Sequence, residues 1–146
     1  MAVREFTTRS PEETVALGRK LARELKPPQL VVLTGDLGAG KTTLIKGIAE
    51  GFGAAKQEDV TSPTFTLIHE YRAKDVTVFH VDLYRVDTPR EFETLGIDDL
   101  IGDRSVLLIE WGEKFARFQR ERNAEIRIER VSEYERKIFL AADERR

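Results

Sequence analysis

Apolar positions fall into two kinds of pattern along this chain. Leu30-Val31-Val32-Leu33 and Val106-Leu107-Leu108-Ile109 are continuous apolar runs. Short uninterrupted runs of this kind predict strands buried on both faces of a parallel sheet. Elsewhere the period becomes helical. Leu44, Ile45, Ile48 and Phe52 mark one face of a helix that Gly53 suits as a C-terminal stop. Leu17, Leu21 and Leu25 share a face of an earlier helix, with the small residues Gly18 and Ala22 beside them for close packing. That helix begins with Ser10 as N-cap, Pro11 at the first position and Glu13 closing a capping box, and Pro27-Pro28 stops it. Thr88-Pro89-Arg90-Glu91 repeats the start signature for a short helix ended by Gly96. Residues 97–101 read as a further helical turn and 114–122 as a polar helix.

Period-two alternation accounts for most of the remainder. Residues 3–8 predict a short edge strand. Residues 65–71 place Phe65, Leu67, His69 and Tyr71 on one side, 72–75 can turn, and 76–83 return as a second strand. This pair predicts an antiparallel hairpin at the edge of the sheet. Residues 125–131 and 136–141, joined by a short turn at Ser132-Glu133, predict a terminal hairpin.

The chemistry is concentrated after the first apolar strand. Gly35-Asp36-Leu37-Gly38-Ala39-Gly40-Lys41-Thr42 fits G-x-x-x-x-G-K-[ST], the phosphate-binding P-loop. Its glycines let consecutive N–H groups turn into one anion-binding concavity, and the following helix adds its positive dipole end. Lys41 can neutralise the β- and γ-phosphates, and the Thr42 hydroxyl can ligate Mg²⁺. The strand before and the helix after give the motif its required context. The fold class expected is therefore α/β: a P-loop NTPase-like three-layer sandwich, with a central mostly parallel sheet and added antiparallel strands in an edge hairpin and a C-terminal hairpin.

Such a site also needs an acidic group at the end of a neighbouring strand. Glu110 ends the second apolar run and is better explained by a metal than as a solvent-facing strand end. Asp82 also follows an apolar strand, and reads equally as a metal-shell or water-orienting carboxylate and as a structural aspartate. The sequence supplies no partner for His80, which reads as a packed or hydrogen-bonded histidine rather than a base. Thr61-Ser62-Pro63-Thr64 sits where many P-loop proteins carry a loop that senses the γ-phosphate, although a turn fixed by Pro63 is the plainer alternative. Trp111, the sole tryptophan, reads as a stacking group or as a half-buried packing residue. Arg117, Arg120 and Arg122 form either a basic patch or a solvated helix face.

Composition narrows the setting. At 146 residues, without repeats or linkers, the chain is expected to form one domain, 1–146. Lys and Arg total 24 against 26 Asp and Glu, a net charge of −2, so no global charge recruits nucleic acid or a membrane. Any RNA connection would run through a partner or a local patch. The absence of cysteine excludes disulfides, thiolate metal sites and cysteine nucleophiles. The start, MAVREFTTRSPEE, lacks an apolar signal core, and no apolar run approaches a membrane span, so the cytoplasm is the expected compartment.

Four blocks together, GDLGAGKTT at 35–43, SPTFTL at 62–67, HVDLYR at 80–85 and LIEWGE at 108–113, resemble the TsaE (YjeE) family of small bacterial ATPases in order and spacing. The resemblance runs from the first helix to the terminal hairpin. It implies binding and slow hydrolysis of ATP with Mg²⁺, in the threonylcarbamoyladenosine modification of tRNA beside the anticodon. The implied partners are TsaB and TsaD, with tRNA reached through that complex. It makes Lys41 the phosphate lysine, Thr42 and Glu110 the Mg²⁺ site, and Asp82 a contributor to metal or water positioning. Thr64 would lie near the γ-phosphate. Asp36, Leu37, Gly38, Ala39, Gly40 and Thr43 would line the phosphates, and Trp111 would lie close to the nucleotide. The segment from Thr8 through Thr14 would lie near the adenine, and Arg136 would reach the nucleotide. A proline-containing loop often follows the tryptophan helix in that family, whereas 115–123 here is proline-free. Two other readings compete, a small P-loop kinase and a nucleotide-dependent regulatory switch. No insertion is long enough for an arginine-bearing kinase lid. The only asparagine, Asn123, is not in a guanine-reading N-K-x-D block, which favours ATP.

Overall fold

Alternation along the two apolar runs decides the layering. In the computed structural model, which describes residues 2–36, 38–54 and 67–142, Leu30 and Val32 join one buried cluster while Val31 and Leu33 join another on the opposite face. Leu107 and Ile109 divide from Val106 and Leu108 in the same way. Successive strand side chains point to opposite faces, so both faces of the central sheet need helical cover.

That sheet has seven strands: β1 (Ala2–Thr8), β2 (Gln29–Thr34), β3 (Ile68–Arg72), β4 (Thr77–Asp82), β5 (Ser105–Glu110), β6 (Ala124–Arg130) and β7 (Arg136–Ala142). Their spatial order is β1-β7-β6-β2-β5-β4-β3. The central strands β6, β2, β5 and β4 are parallel neighbours, and β3, β7 and β1 attach antiparallel outside them. α1 (Pro11–Ala22) and α2 (Lys41–Gly51) cover one face; α3 (Pro89–Thr94) and α4 (Ala116–Glu121) cover the other around Phe92 and Phe118. On β6 only Ala124, Ile126 and Ile128 enter the core, while Arg127 and Glu129 on the uncovered face meet solvent, which explains the alternation in this hairpin. No helix among the described residues is long and apolar enough to cross a membrane.

Both capping signatures form. The Ser10 hydroxyl accepts from the Glu13 N–H and the Glu13 carboxylate accepts from the Arg9 N–H; Thr88 accepts from the Glu91 N–H. α1 and α2 pack backbone to backbone. A Cβ on Gly18 would stand 2.5 Å from the Leu44 carbonyl oxygen and 2.8 Å from the Gly47 Cα. The residue-18 position must therefore be small.

Three expectations change. The strand expected over 65–71 begins only at Ile68, because Leu67 adopts a left-handed φ of 64°; residues 65 and 66 lie outside the described set. The turn between β6 and β7 spans 131–135 and is longer than the two residues expected, closed by the Val131 N–H to the Glu135 carbonyl. The polar helix over 114–122 resolves into a 3₁₀ turn, Gly112–Lys114, followed by α4, and its Phe118 is fully buried. Arg117 pairs there with Asp98 and Glu121, and Arg122 with Glu125, so these arginines are spent on local carboxylates.

Candidate phosphate-binding site

β2 delivers the chain to the loop at Thr34, and α2 begins at Lys41. Two glycines make the connection possible. Gly35 passes so close to β6 that a Cβ would lie 2.6 Å from the Ile128 carbonyl oxygen. Gly40 caps α2 with a φ of 110°, a conformation L side chains rarely adopt. The Ala39 N–H bonds back to the Asp36 carbonyl at 3.0 Å, which curls the loop over the start of α2. Leu37 and Thr64 lie outside the described residues.

Lys41 turns into this loop. It is 4% exposed, donates to the Gly35 carbonyl at 2.7 Å, and sits 4.1 Å from the centre of the Trp111 ring. Burial lowers its pKa from the usual lysine value, opposed by the carboxylates of Glu110, Glu113, Asp82 and Asp36. Trp111 is itself held in a left-handed φ of 64°, a strained conformation for an aromatic residue. Its other neighbour is the Tyr84 ring, 5.1 Å away between centroids. Lys114 ties down the segment carrying Tyr84, donating to the Leu83 and Tyr84 carbonyls at 3.2 and 2.9 Å.

The two expected acidic residues end adjacent parallel strands. Asp82 and Glu110 are direct register partners across β4 and β5. Asp82 accepts the Tyr84 N–H at 3.0 Å. Glu110 is 4% exposed and meets His80, which is the buried, hydrogen-bonded histidine expected, with a partner that the sequence did not supply. His80 Nε2 lies 2.5 Å from Glu110 Oε2, with both side chains buried. With Glu110 ionised its oxygens only accept, which makes Nε2 the donor of this hydrogen bond, and among the described residues Nδ1 has no hydrogen-bond partner. The sequence hid this pair because the residues are 30 positions apart. The signal was register: His80 faces Leu108, and Glu110, two residues further along, points to the same side.

The remaining candidates fall on either side of the loop. Thr34, Gly35, Asp36, Ala39 and Trp111 border a cavity of about 750 Å³ that reaches Arg127 and Glu129 of β6. Among the described residues the buried Thr34 hydroxyl there has no hydrogen-bond partner. Gly40, Thr43, Thr14 and Arg136 come together around a smaller cleft of about 50 Å³. The buried Thr14 hydroxyl is 2.7 Å from that of Thr8. Arg136 Nε donates to the Ala39 carbonyl at 2.9 Å, and its Nη1 donates to the carbonyls of Ser132, Glu133 and Glu135. Gly38 and Thr42 lie in the loop and the first turn of α2, respectively. Sequence reasoning missed Glu113, Lys114 and the β6–β7 turn as parts of this region.

Known proteins resemble this chain in sequence and fold. The family model described as "Threonylcarbamoyl adenosine biosynthesis protein TsaE" matches residues 8–138. The chain belongs to the TsaE family. The tRNA threonylcarbamoyladenosine biosynthesis protein TsaE of Bacillus subtilis is 39% identical over 138 residues, spanning 94% of this chain and 85% of that protein. The protein of the same name from Rickettsia conorii is 42% identical over 107 residues, 73% of this chain and 60% of its own length. The crystal structure of Bacillus subtilis YdiB superposes with a TM-score of 0.78 at 34% identity, covering 99% of this chain and 88% of that one. The TsaE fold is thus a P-loop fold, with its loop between β2 and α2.

Proposed function

We propose that this chain is a Mg²⁺-dependent ATP-binding protein and ATPase, slow alone and active mainly in complex with TsaB and TsaD. Its output is the threonylcarbamoyladenosine modification of tRNA next to the anticodon, with tRNA reached through the complex. The observation that carries the nucleotide reading is the setting of Lys41. A buried ammonium held between a glycine-loop carbonyl and a tryptophan face, with two strand-end carboxylates acting on it, is charge prepared for a polyanion. Membership of the TsaE family supports the process, and the partners belong to the proposal.

The residues present fit Mg²⁺ of the kind that nucleotides carry. Among the described residues there is no cluster of three or more acidic, histidine or cysteine ligands. Thr42, Asp82 and Glu110 offer one hydroxyl and two carboxylates, and Mg²⁺ characteristically takes one or two carboxylates with phosphates and water. When bound, the ion neutralises charge on the β- and γ-phosphate oxygens. The chain's own work is to bind and orient. Loop N–H groups and the α2 dipole receive the phosphates, Lys41 supplies a desolvated positive charge, and His80 fixes one Glu110 oxygen so that the other can face the site.

The test is ATP turnover by the purified protein, with and without TsaB and TsaD, in the presence and absence of Mg²⁺. Slow turnover that rises on adding both partners is the expected result. A protein that binds no ATP, or whose ATPase ignores both partners, would remove the proposal.

A further inference from the structure

We propose that Tyr134, at the tip of the β6–β7 turn, is the stacking platform for the nucleobase of the bound nucleoside triphosphate; this rests on the nucleotide reading above. The direction of the phosphate chain comes first. In a P-loop the lysine meets the β- and γ-phosphates, while backbone N–H groups of the loop cradle the α- and β-phosphates. The Lys41 ammonium lies over Trp111, within the influence of Glu110 and Asp82. The terminal phosphate therefore faces Trp111, and the nucleoside leaves at the opposite end, past Gly40 and Thr43.

What waits there is the small cleft between Pro11 and Thr14 on one side and Glu133 and Tyr134 on the other. At about 50 Å³ it can seat an edge of a base and cannot enclose one. The face of the base must be covered from outside, and Tyr134 is the large ring at that rim, 64% exposed. Among the described residues Tyr134 makes no aromatic or cation–π contact, whereas the rings of Tyr84 and Phe139 are covered by Trp111 and Arg127.

The backbone of the turn that carries Tyr134 is held in place. Arg136 gathers the carbonyls of Ser132, Glu133 and Glu135 at 2.8, 3.2 and 3.1 Å and anchors that turn to Ala39 of the phosphate loop at 2.9 Å. The opposite wall is fixed by the Thr8–Thr14 hydroxyl contact. The turn thus presents Tyr134 at a set distance from the loop that receives the phosphates. Pre-organisation of this kind lowers the ordering cost of binding.

Calorimetry with Mg·ATP and with Mg·tripolyphosphate, on the natural protein and on Tyr134→Ala and Tyr134→Phe, tests this. Stacking on an aromatic ring predicts that Tyr134→Ala weakens ATP about tenfold, within the range seen for base–aromatic pairs. Tripolyphosphate affinity stays within about twofold, and Tyr134→Phe retains ATP affinity, because the ring face does the work. Unchanged ATP affinity in Tyr134→Ala overturns the proposal. So does an equal loss for both ligands, which would mean that the turn only supports the phosphate loop. If the natural protein bound tripolyphosphate as tightly as ATP, the base would be unread and this proposal would fail while the phosphate site stood. Binding of neither ligand would overturn both.

Discussion

Replacing Gly47 with alanine sets two physical effects of opposite sign against each other. Gly47 lies inside α2, where alanine is favoured over glycine by about 1 kcal/mol of helix propensity. Propensity alone therefore predicts a more stable protein. Packing predicts the reverse. The new Cβ would stand 2.1 Å from the Val15 carbonyl oxygen and 2.9 Å from the Gly18 Cα, where ordinary contact begins at 3.4 Å. The obstructing atoms are α1 backbone, so no rotamer change relieves them and the two helices must move apart. Overpacking of this kind costs about 1–3 kcal/mol, and a clash more than 1 Å deep against backbone belongs at or beyond the upper end. With the propensity gain set against it, the net loss is about 2 kcal/mol. For a chain of this size that lowers Tm by roughly 5 °C. Thermal unfolding followed by circular dichroism reads this directly. ATP affinity should fall as well, since the first turn of α2 carries Lys41 and Thr42. A Gly47→Ala protein melting at or above the parent would refute the packing account of the α1–α2 contact.

Lys41→Ala should abolish nucleotide binding or turnover, because it removes the charge proposed to face the β- and γ-phosphates; retained affinity and hydrolysis in calorimetry and a phosphate-release assay would disprove the role. Glu110→Ala should weaken Mg²⁺-dependent binding and also cost about 1–3 kcal/mol of stability, since it strands the buried His80 N–H. Glu110→Gln keeps an acceptor for His80, so urea unfolding should separate the two variants in stability while both lose Mg²⁺ dependence; equal stabilities would show that the hydrogen bond carries little. The burial-lowered pKa of Lys41 gives a pH prediction with a definite sign. Bound phosphate favours the ammonium, so ATP affinity should be flat at neutral pH and begin to fall below the ordinary lysine value of 10.5, as the free protein loses this proton. In the window between the lowered value and 10.5 the unfolded chain binds more protons at this site, so its contribution to stability rises with pH. An affinity profile unchanged between the parent and a Lys41→Arg protein up to pH 10.5 would contradict this.

Much of the fold was legible because its signals are local. The central strands are buried on both faces, so they appear as unbroken apolar runs, and the caps at Ser10 and Thr88 use residues three apart. The phosphate loop was legible for the same reason: eight consecutive residues carry both its turn geometry and its charge. What could not be read depends on register or distance. His80 and Glu110 meet only because β4 and β5 align as they do, and no spacing within either segment implies it. Leu67 entering the left-handed region shortens β3 from a strand that alternation alone would have extended. The five-residue β6–β7 turn follows from how Arg136 folds its carbonyls back onto a loop 97 positions away. Amphipathic periodicity is silent about such a contact.

These long-range contacts bear on what the phosphate loop can do. Its glycines would allow many conformations if the loop were alone. Three parts of the chain restrict it: β6 at Gly35 through the close approach of Ile128, the β6–β7 turn at Ala39 through Arg136, and β5 at Lys41 through Trp111. The first fixes where the loop leaves β2, the second holds its far arm, and the third fixes where the ammonium points. A ligand that displaces Lys41 from the Gly35 carbonyl or from the Trp111 ring therefore acts on β5 and on the Tyr84 segment stacked behind it. One that pushes on Ala39 acts through Arg136 on the turn bearing Tyr134. The two routes leave the loop at opposite ends, one through Trp111 and one through Arg136. Under the proposed nucleotide reading, a triphosphate and its hydrolysis product would differ at the first end only, and the Trp111–Tyr84 side would be the surface that responds to that difference.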